Sequence, residues 1–468
     1  MSVYSQILEG VLLPCHNQVK GRQYVRHRHF LNESQWWSRE QAMEFQWQEL
    51  KALLAHCFHS VPYYQKKYAG AGIRLEDIKT REDFARLPIL TRAEVNEHRE
   101  SLCSTDYGGK LLPHATGGSS GVPTRFYRTI ESYDWRTAAM DRVYGWTGCH
   151  LGERAVYLWG APVGHVSTRQ RIKTRAYEFV LRHLVFNTFS QTEQRWDEIY
   201  EGAIAFRPKL IVGYVSSLQE CSAYLQAKGA VLPGVKAVIA AAEPLSERTR
   251  EQISQGFGAP VFNTYGSREF MSIAGECEFH NGLHINSENI LVETALPLED
   301  GPSELLITDL HNYGMPFVRY SIGDAGVLED SSCPCGRGLP RLRSIDGRVL
   351  DLLRMANGRL VPGEFFPHLL MDAPEIIEYQ VEQKSINHIV VNAVLSGPLS
   401  EKSRTLLDKE FQKVFGQTTK VEIKGVNKIP MLSSGKKRTV VGLPPNDCSG
   451  SERPLAVERA YVAATKND

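Results

Sequence analysis

The segment between residues 154 and 263 alternates short apolar runs with amphipathic helical patterns, and this alternation is the strongest constraint on the fold. The apolar runs, which have the length of buried strands, lie at Arg154–Trp159, Lys209–Val212, Ala237–Ala241 and Pro260–Asn263. The helical patterns lie at Ser190–Ala205, Ser216–Lys228 and Ser246–Phe257. Strands that alternate with helices predict a parallel sheet covered by helices, so we expect an α/β fold.

Two polar motifs follow strands of this predicted sheet. Ala242-Glu243-Pro244 comes after the third run, and Tyr265-Gly266-Ser267-Arg268-Glu269 comes after the fourth. Ligands of parallel sheets bind beyond the carboxyl ends of the strands. The sequence therefore predicts a ligand site at this edge of the sheet.

A glycine-rich loop lies upstream, between extended segments predicted at Lys110–His114 and Arg125–Arg128. Its glycines leave backbone N–H groups free to surround phosphate oxygens, and its Thr and Ser residues add hydroxyl donors. The residues concerned are Thr116, Gly117, Gly118, Ser119, Ser120 and Gly121. The loop is not a Walker A motif, because Gly-Lys-Ser/Thr is absent. A flexible surface turn is the alternative interpretation.

Length and composition limit the function classes. A chain of 468 residues predicts two or three domains. The net charge of +1 indicates neither a nucleic-acid groove nor a basic membrane-binding face. We find no apolar run of transmembrane length, and we expect no secretory signal at the N-terminus. The nine cysteines are mostly scattered, which is typical of a reduced cytoplasmic protein.

The pattern changes after Gly282, where antiparallel strands are predicted at Leu283–Glu293, Ser303–Asp309 and Phe317–Ser321. A compact α+β unit is predicted to begin after Arg348. We therefore expect a large N-terminal domain at 1–348, a small C-terminal domain at 349–443 and a poorly ordered tail at 444–468.

Four later motifs follow the glycine-rich loop in an informative order. They are Tyr265–Glu269, Arg319–Asp324, Asp346–Asp351 and Ser433–Arg438. In this order the five motifs resemble the adenylate-forming enzymes, the acyl- and aryl-CoA ligases and adenylation domains, over roughly residues 63–441. The sequence looks most like the phenylacetate–CoA ligase and CapK-like branch, on further matches at Pro62–Tyr64, Leu87–Arg92, Glu276–Cys277, Gly282–His284 and Cys333–Arg337.

The resemblance implies a large helix-covered adenylation domain with a β-rich subdomain and a small mobile C-terminal domain. It also implies a reaction in which a carboxylate attacks the α-phosphate of ATP and pyrophosphate leaves. Positioning and charge neutralisation dominate such a step. Thr116–Gly121 would hold the β- and γ-phosphates, and Glu269 would help bind Mg²⁺. Asp324 would accept both ribose hydroxyls.

The remaining assignments also follow from the resemblance. Arg348 would contact the ribose or a phosphate, and Lys436 would reach the α-phosphate and the attacking carboxylate. The small domain would then rotate near Val349–Asp351, so that a thiol, usually coenzyme A, attacks the adenylate. The set expected to contact the nucleotide is completed by Ala242, Glu243, Pro244, Asn263, Thr264, Tyr265, Gly266 and Ser267. Many superfamily members end the glycine-rich loop in Pro-Lys, whereas Pro123 is followed here by Thr124.

A second set of residues predicts a structural zinc site. Cys333 and Cys335 flank a proline, and Cys277, His280 and His284 lie upstream. Three thiolates and one imidazole make a tetrahedral zinc set that leaves no open position. His284 is the preferred fourth ligand, because its Gly-Leu-His context recurs in the resembling branch, and His280 is the alternative. Free thiols on an exposed turn are the competing interpretation.

Three functions remain open at this point. The first is an ATP-dependent ligase that forms an adenylate and then a thioester. The second passes the adenylate to a carrier protein, an amine or a sugar hydroxyl, as CapK-like relatives make plausible. The third is a non-catalytic nucleotide-binding protein. The acid should bind between Tyr133–Trp135, Tyr214–Ser217 and Ala240–Glu243, in a pocket that permits an aryl or medium apolar acid, and the branch allows a homodimer.

Overall fold

The computed structural model describes residues 2–116, 124–159, 168–188, 193–295, 302–348, 353–355, 360–361, 366, 370, 373, 375–416, 418–430 and 440–443. The chain divides into two compact units. The larger one covers Met1–Gly347, and the smaller one begins at Arg348. No described helix has both the length and the apolar character that crossing a membrane requires.

Eleven strands of the described residues form one sheet in the larger unit, and its first half is parallel. The parallel strands are β3 (Ala155–Trp159), β4 (His183–Asn187), β5 (Leu210–Tyr214), β6 (Ala237–Ala241) and β7 (Val261–Ser267), in the spatial order β4-β3-β5-β6-β7. Every residue of β6 is buried, because helices cover both faces of a parallel sheet. The helices of this half are α9 (Thr168–Leu181), α10 (Glu193–Phe206), α11 (Val215–Lys228) and α12 (Glu247–Phe257).

The second half of the same sheet is antiparallel and joins the first half at β7. Its strands are β8 (Met271–Glu276), β9 (Leu283–Ile285), β10 (Ile290–Thr294), β11 (Ser303–Asp309), β12 (Tyr320–Glu329) and β13 (Arg341–Arg348). They continue from β7 in the order β8-β9-β13-β12-β11-β10. The predicted β-rich subdomain is therefore continuous with the parallel half.

Helices and a two-stranded hairpin precede the main sheet. The helices are α1 (Val3–Ile7), a π-helical segment (Leu8–Leu12), α2 (Leu13–Lys20), α3 (Tyr24–Ser34), α4 (Arg39–Ser60), α5 (Pro62–Gly70), a 3₁₀ turn (Leu75–Asp77), α6 (Arg81–Phe84), α7 (Arg92–Glu97) and α8 (Ile130–Gly145). Helix α4 begins with a capping box between Ser38 and Gln41 and is followed by Pro62. Strands β1 (Leu112–Ala115) and β2 (Arg125–Arg128) pair on either side of the glycine-rich loop.

The predicted strand Leu283–Glu293 was wrong, since a turn splits it into β9 and β10. Glu288 of this turn is fully buried and has its partners inside the protein. Glu288 forms a bidentate ion pair with Arg142 of α8, at 2.6 and 2.9 Å, and accepts a hydrogen bond from Ser34 of α3. These contacts join the second half of the sheet to α3 and α8.

The smaller unit has its own core. A four-stranded sheet in the order β18-β17-β16-β19 comprises β16 (Ile376–Ser385), β17 (His388–Leu395), β18 (Lys420–Gly425) and β19 (Val440–Val441). Strands β14 (Leu353–Arg354) and β15 (Leu360–Val361) form a hairpin, and α13 (Glu401–Phe415) packs its Phe411 against Phe366. The mixed α/β architecture predicted from the sequence is confirmed.

Candidate functional site

The Tyr265–Glu269 motif lies where the sheet changes from parallel to antiparallel. The sequence ended the fourth strand at Asn263, but β7 continues to Ser267, so Tyr265, Gly266 and Ser267 pair with β8. A bulge falls between Tyr265 and Gly266. A Cβ atom at Gly266 would lie 2.0 Å from the carbonyl oxygen of Met271. Only glycine therefore allows the backbone to turn this tightly into Glu269.

Two buried tyrosines hold the two candidate carboxylates. The Tyr265 hydroxyl donates to Asp324 Oδ2 at 2.8 Å, and the Tyr320 hydroxyl donates to Glu269 Oε1 at 3.3 Å. Glu269 is only 4% exposed. Burial, with the nearby Glu269 carboxylate, raises the pKa of Tyr320, which keeps its hydroxyl protonated as a donor.

Arg92 also lies beside Glu269, although its sequence context predicts no catalytic role for it. Its Nη2 lies 3.7 Å from Glu269 Oε1 and donates to the Ile322 carbonyl at 3.3 Å. Backbone hydrogen bonds place it there, because Leu90 N–H donates to Arg319 and Ser321 N–H donates to Leu90. The Leu87–Arg92 motif was the available signal, but sequence spacing could not connect it with Glu269.

Hydrogen bonds between Thr116 and Thr124 join the two ends of the glycine-rich loop. Thr116 N–H donates to the Thr124 carbonyl at 2.9 Å, and Thr124 N–H donates to Thr116 Oγ1 at 2.9 Å. Arg268 Nη1 donates a hydrogen bond to the Ala115 carbonyl at 3.5 Å, so the start of the loop lies beside the β7–β8 turn. The loop residues Gly117, Gly118, Ser119, Ser120 and Gly121 lie outside the described residues.

The segment after β6 follows the carboxyl edge of the parallel half. Glu243 accepts a hydrogen bond from Ser216 N–H at 2.7 Å, which caps the start of α11. Ala242, with a φ of 65°, and Pro244 flank Glu243, and both are exposed. In the neighbouring strand, Thr264 Oγ1 donates to the Ala240 carbonyl and Asn263 N–H donates to Glu276. These residues thus share one edge with Tyr265.

Two predicted residues cannot be placed at the site. Lys436 lies outside the described residues. Arg348 is the last residue of β13, and its side chain is likewise outside the described part. Their roles stay predictions.

Cys277, His284, Cys333 and Cys335 form a second cluster, whose ligand atoms all lie within 4.8 Å of one another. The Cys277 and Cys333 sulfurs are 3.8 Å apart, and Cys335 Sγ is 3.3 Å from His284 Nε2. His280 lies elsewhere, with its Nδ1 3.1 Å from Glu276 Oε2.

The surroundings of this cluster shift the pKa values of His284 and Cys335 toward their metal-binding forms, but shift that of Cys277 away from it. Burial lowers the pKa of His284 to about 4, so the imidazole is neutral. Burial alone would raise the pKa of Cys335, but hydrogen bonds from the backbone and side chain of Arg337 lower it. Burial raises the pKa of Cys277 to about 12, and a cation would have to offset this cost to stabilise its thiolate.

Known proteins resemble this chain in sequence. The profile of the CapK C-terminal domain family matches residues 353–442. A phenylacetate–coenzyme A ligase of Thermus thermophilus is 26% identical over 359 residues, covering 73% of this chain and 78% of that protein. Protein CapK of Staphylococcus aureus is 24% identical over 368 residues, covering 76% of this chain and 79% of that protein.

Solved structures show the same fold. The crystal structure of 2-hydroxyisobutyryl-CoA ligase in the postadenylation state, in complex with R3-HIB-AMP, matches with a TM-score of 0.65 at 18% identity. The match covers 91% of this chain and 92% of that chain. The predicted resemblance to the adenylate-forming enzymes, and to the branch with the phenylacetate–CoA ligases and CapK, is confirmed.

Proposed function

We propose that this chain, a relative of the phenylacetate–CoA ligases and of CapK among the adenylate-forming enzymes, activates a carboxylic acid with ATP and transfers it to coenzyme A. The first half-reaction forms a bond between the carboxylate oxygen and the α-phosphorus and releases pyrophosphate. In the second, a thiolate attacks the acyl carbon and AMP leaves. The observation that carries the proposal is that Glu269 and Asp324 both lie near Arg92 and that each accepts a hydrogen bond from a buried tyrosine.

The described residues account for nucleotide binding. Asp324 would accept the two ribose hydroxyls, with Tyr265 holding its other oxygen. Ala242–Pro244 and Asn263–Ser267 would flank the adenine along the same edge. The tyrosine hydrogen bonds would hold both carboxylates in fixed positions toward the nucleotide and its Mg²⁺.

Glu269 fits the usual form of a Mg²⁺ site in nucleotide enzymes, in which one or two carboxylates act with substrate phosphates. Bound there, Mg²⁺ would offset the repulsion between the phosphates and the incoming carboxylate. Arg92, whose Nη2 lies 3.7 Å from Glu269 Oε1, would help to orient the carboxylate. Thr116–Gly121 would hold the terminal phosphates, and Lys436 would stabilise charge at the α-phosphate. Residues 349–443 would form the mobile domain that carries Lys436, with Arg348 before its hinge.

The Cys277, His284, Cys333 and Cys335 cluster fits a structural Zn²⁺. Its three sulfurs and one imidazole nitrogen would fill a tetrahedral shell and leave no position for a reacting water. Such a site would join the segment after β8 to the turn after β12. It would stabilise the antiparallel half of the sheet rather than take part in the chemistry.

Carboxylate-dependent pyrophosphate release tests the proposal. The assay uses ATP, Mg²⁺ and a panel of aryl and alkyl acids, with and without coenzyme A, beside a Lys436→Ala variant. We expect release that needs an acid, rises with coenzyme A and collapses in the variant. Acid-dependent release without stimulation by coenzyme A would instead favour an amine, a carrier protein or a sugar hydroxyl as acceptor, as the CapK profile match allows. ATP binding without release for any acid would favour a non-catalytic protein.

A further inference from the structure

Two arginines beside the candidate nucleotide site, Arg128 and Arg136, have only one carboxylate partner between them among the described residues. Arg136, on α8, is 2% exposed and pairs through one nitrogen with Asp309, while its Nε and Nη1 have no hydrogen-bond partner among the described residues. Arg128, at the end of β2, has no carboxylate partner in the described part of the chain. Its guanidinium lies 4.2 Å from the centre of the Tyr133 ring.

The pair lies next to the residues that follow Glu269. Arg128 Nη1 is 3.7 Å from the Met271 sulfur, and the Arg136 guanidinium carbon is 6.0 Å from the centre of the Phe270 ring. Tyr133 belongs to the segment expected to line the acid pocket. The two arginines therefore lie close both to the segment that follows Glu269 and to a segment expected to line the acid pocket.

The electrostatic surroundings show a deficit of negative charge. Burial, followed by the charge of Arg136, lowers the pKa of Arg128 to about 10. Burial, followed by Arg128, Arg136 and Arg268, lowers the pKa of His114 to about 4. A half-buried cation without a counter-ion costs folding free energy, so its retention here indicates that an anion binds beside it.

We infer that Arg128, backed by Arg136, binds a second anionic group of the acid, so that the substrates are acids with an anion at both ends. This inference rests on the proposed function and names its substrate class. The β- and γ-phosphates of ATP are the other source of an anion. The register of the hairpin disfavours them, since Arg125 borders the glycine-rich loop and Arg128 lies three residues further along β2, about 10 Å away.

Paired acids test the inference directly. Binding of phenylacetate and 4-carboxyphenylacetate, and of hexanoate and adipate, is measured by calorimetry without nucleotide. In the wild-type protein we expect the dianionic member of each pair to bind roughly tenfold more tightly, or better, as a charge-assisted hydrogen bond provides. Arg128→Gln should abolish this preference, and Arg128→Lys should keep part of it. Arg125→Gln, which changes an exposed arginine of the same strand, should keep all of it.

Two further measurements, thermal unfolding and binding of an ATP analogue, distinguish a role of Arg128 in acid specificity from a role in folding or in ATP binding. Arg128→Gln should not lower the thermal midpoint, because it removes an uncompensated charge, whereas loss of a purely structural arginine would lower it. Equal affinity of the wild-type protein for both members of each pair would overturn the inference. Weaker binding of a non-hydrolysable ATP analogue to Arg128→Gln, with the acid preference intact, would also overturn it and assign the anion to ATP.

Pyrophosphate release with the same acids distinguishes the two proposals. A dianionic preference in binding that Arg128→Gln abolishes, without release for any acid, would support the anion site and contradict the proposed ligase activity. Release with monoanionic acids at the same kcat/KM as with their dianionic partners would support the ligase and contradict the anion site.

Discussion

The candidate metal cluster and the candidate nucleotide site lie on the same sheet but differ in how their polar groups are partnered. In the metal cluster the four ligand atoms face one another, with the Cys277 and Cys333 sulfurs only 3.8 Å apart. At the nucleotide site, Glu269 and Asp324 already accept hydrogen bonds from Tyr320 and Tyr265. The first arrangement has the donor set of a metal site, while in the second each carboxylate accepts a hydrogen bond from a tyrosine.

Because of this difference, changes at the cysteine cluster should mainly affect stability, and changes at the nucleotide site should mainly affect activity. Loss of a bound cation from the cysteine cluster would leave thiols and an imidazole buried against each other, so the folded state should suffer most. A change at Glu269 or Asp324 removes a carboxylate that would contact the nucleotide or its Mg²⁺, so ligand binding should suffer most.

The largest effect is expected for His284→Ala, with His280→Ala as its control. Removal of the His284 imidazole should eliminate bound zinc and reduce stability by at least about 3 kcal/mol, because a structural site contributes folding free energy. His280 lies outside the cluster and bonds Glu276, so its variant should retain zinc. Metal analysis of the purified proteins and thermal unfolding measure both. Zinc retained in His284→Ala but lost in His280→Ala would reverse the assignment.

Asp324→Ala should lower kcat/KM for ATP by about 100-fold, since the change removes acceptors for two hydroxyls in a partly buried site. Steady-state pyrophosphate release at varied ATP measures the change. Asp330→Asn is the control, because the exposed Asp330 follows the same strand and pairs with Arg39 at the surface. An Asp324→Ala protein with normal kcat/KM and a lowered thermal midpoint would give Asp324 a structural role only.

The parallel half of the sheet could be predicted from the sequence with good accuracy. Strand β6 has the predicted bounds Ala237–Ala241, because a strand buried on both faces appears as a continuous apolar run. Strand β8, Met271–Glu276, was missed because its small and polar residues lack that signal. The break between β9 and β10 depends on buried contacts of Glu288 with Arg142 and Ser34, which are distant in sequence.

At the candidate site, too, contacts between residues distant in sequence could not be predicted. Motif order pointed to Glu269 and Asp324, and the spacing of the Cys and His residues, with the Gly-Leu-His context of His284, pointed to the four residues that the structure brings together. It could not indicate the contact of Arg92 with Glu269 or the uncompensated charge of Arg128, since neither produces a local pattern. Such contacts depend on which strands become neighbours, and only the folded chain specifies that.

Gly266→Ala should reduce kcat by at least about tenfold while zinc content stays normal. The new Cβ would lie 2.0 Å from the Met271 carbonyl oxygen, so the β7–β8 turn must shift and carry Glu269 with it. Gly145→Ala is the control, because the space around Gly145 at the end of α8 is open. It should leave kcat unchanged and stability equal or slightly higher. Wild-type kcat in Gly266→Ala would show that the tight turn does not position Glu269.

The smallest effect is expected for Arg92→Gln, which tests whether Arg92 orients the Glu269 carboxylate. Arg92 Nη2 lies 3.7 Å from Glu269 Oε1, so its charge would both orient the carboxylate and compete with a bound Mg²⁺ ion. The variant should need less Mg²⁺ for half-maximal activity, yet show a kcat about threefold lower because Glu269 is less well oriented. Arg92→Lys keeps the charge and should keep the Mg²⁺ requirement. A higher Mg²⁺ requirement in Arg92→Gln would mean that Arg92 assists metal binding, and the carboxylate would then depend on the arginine more than on Tyr320 for its position.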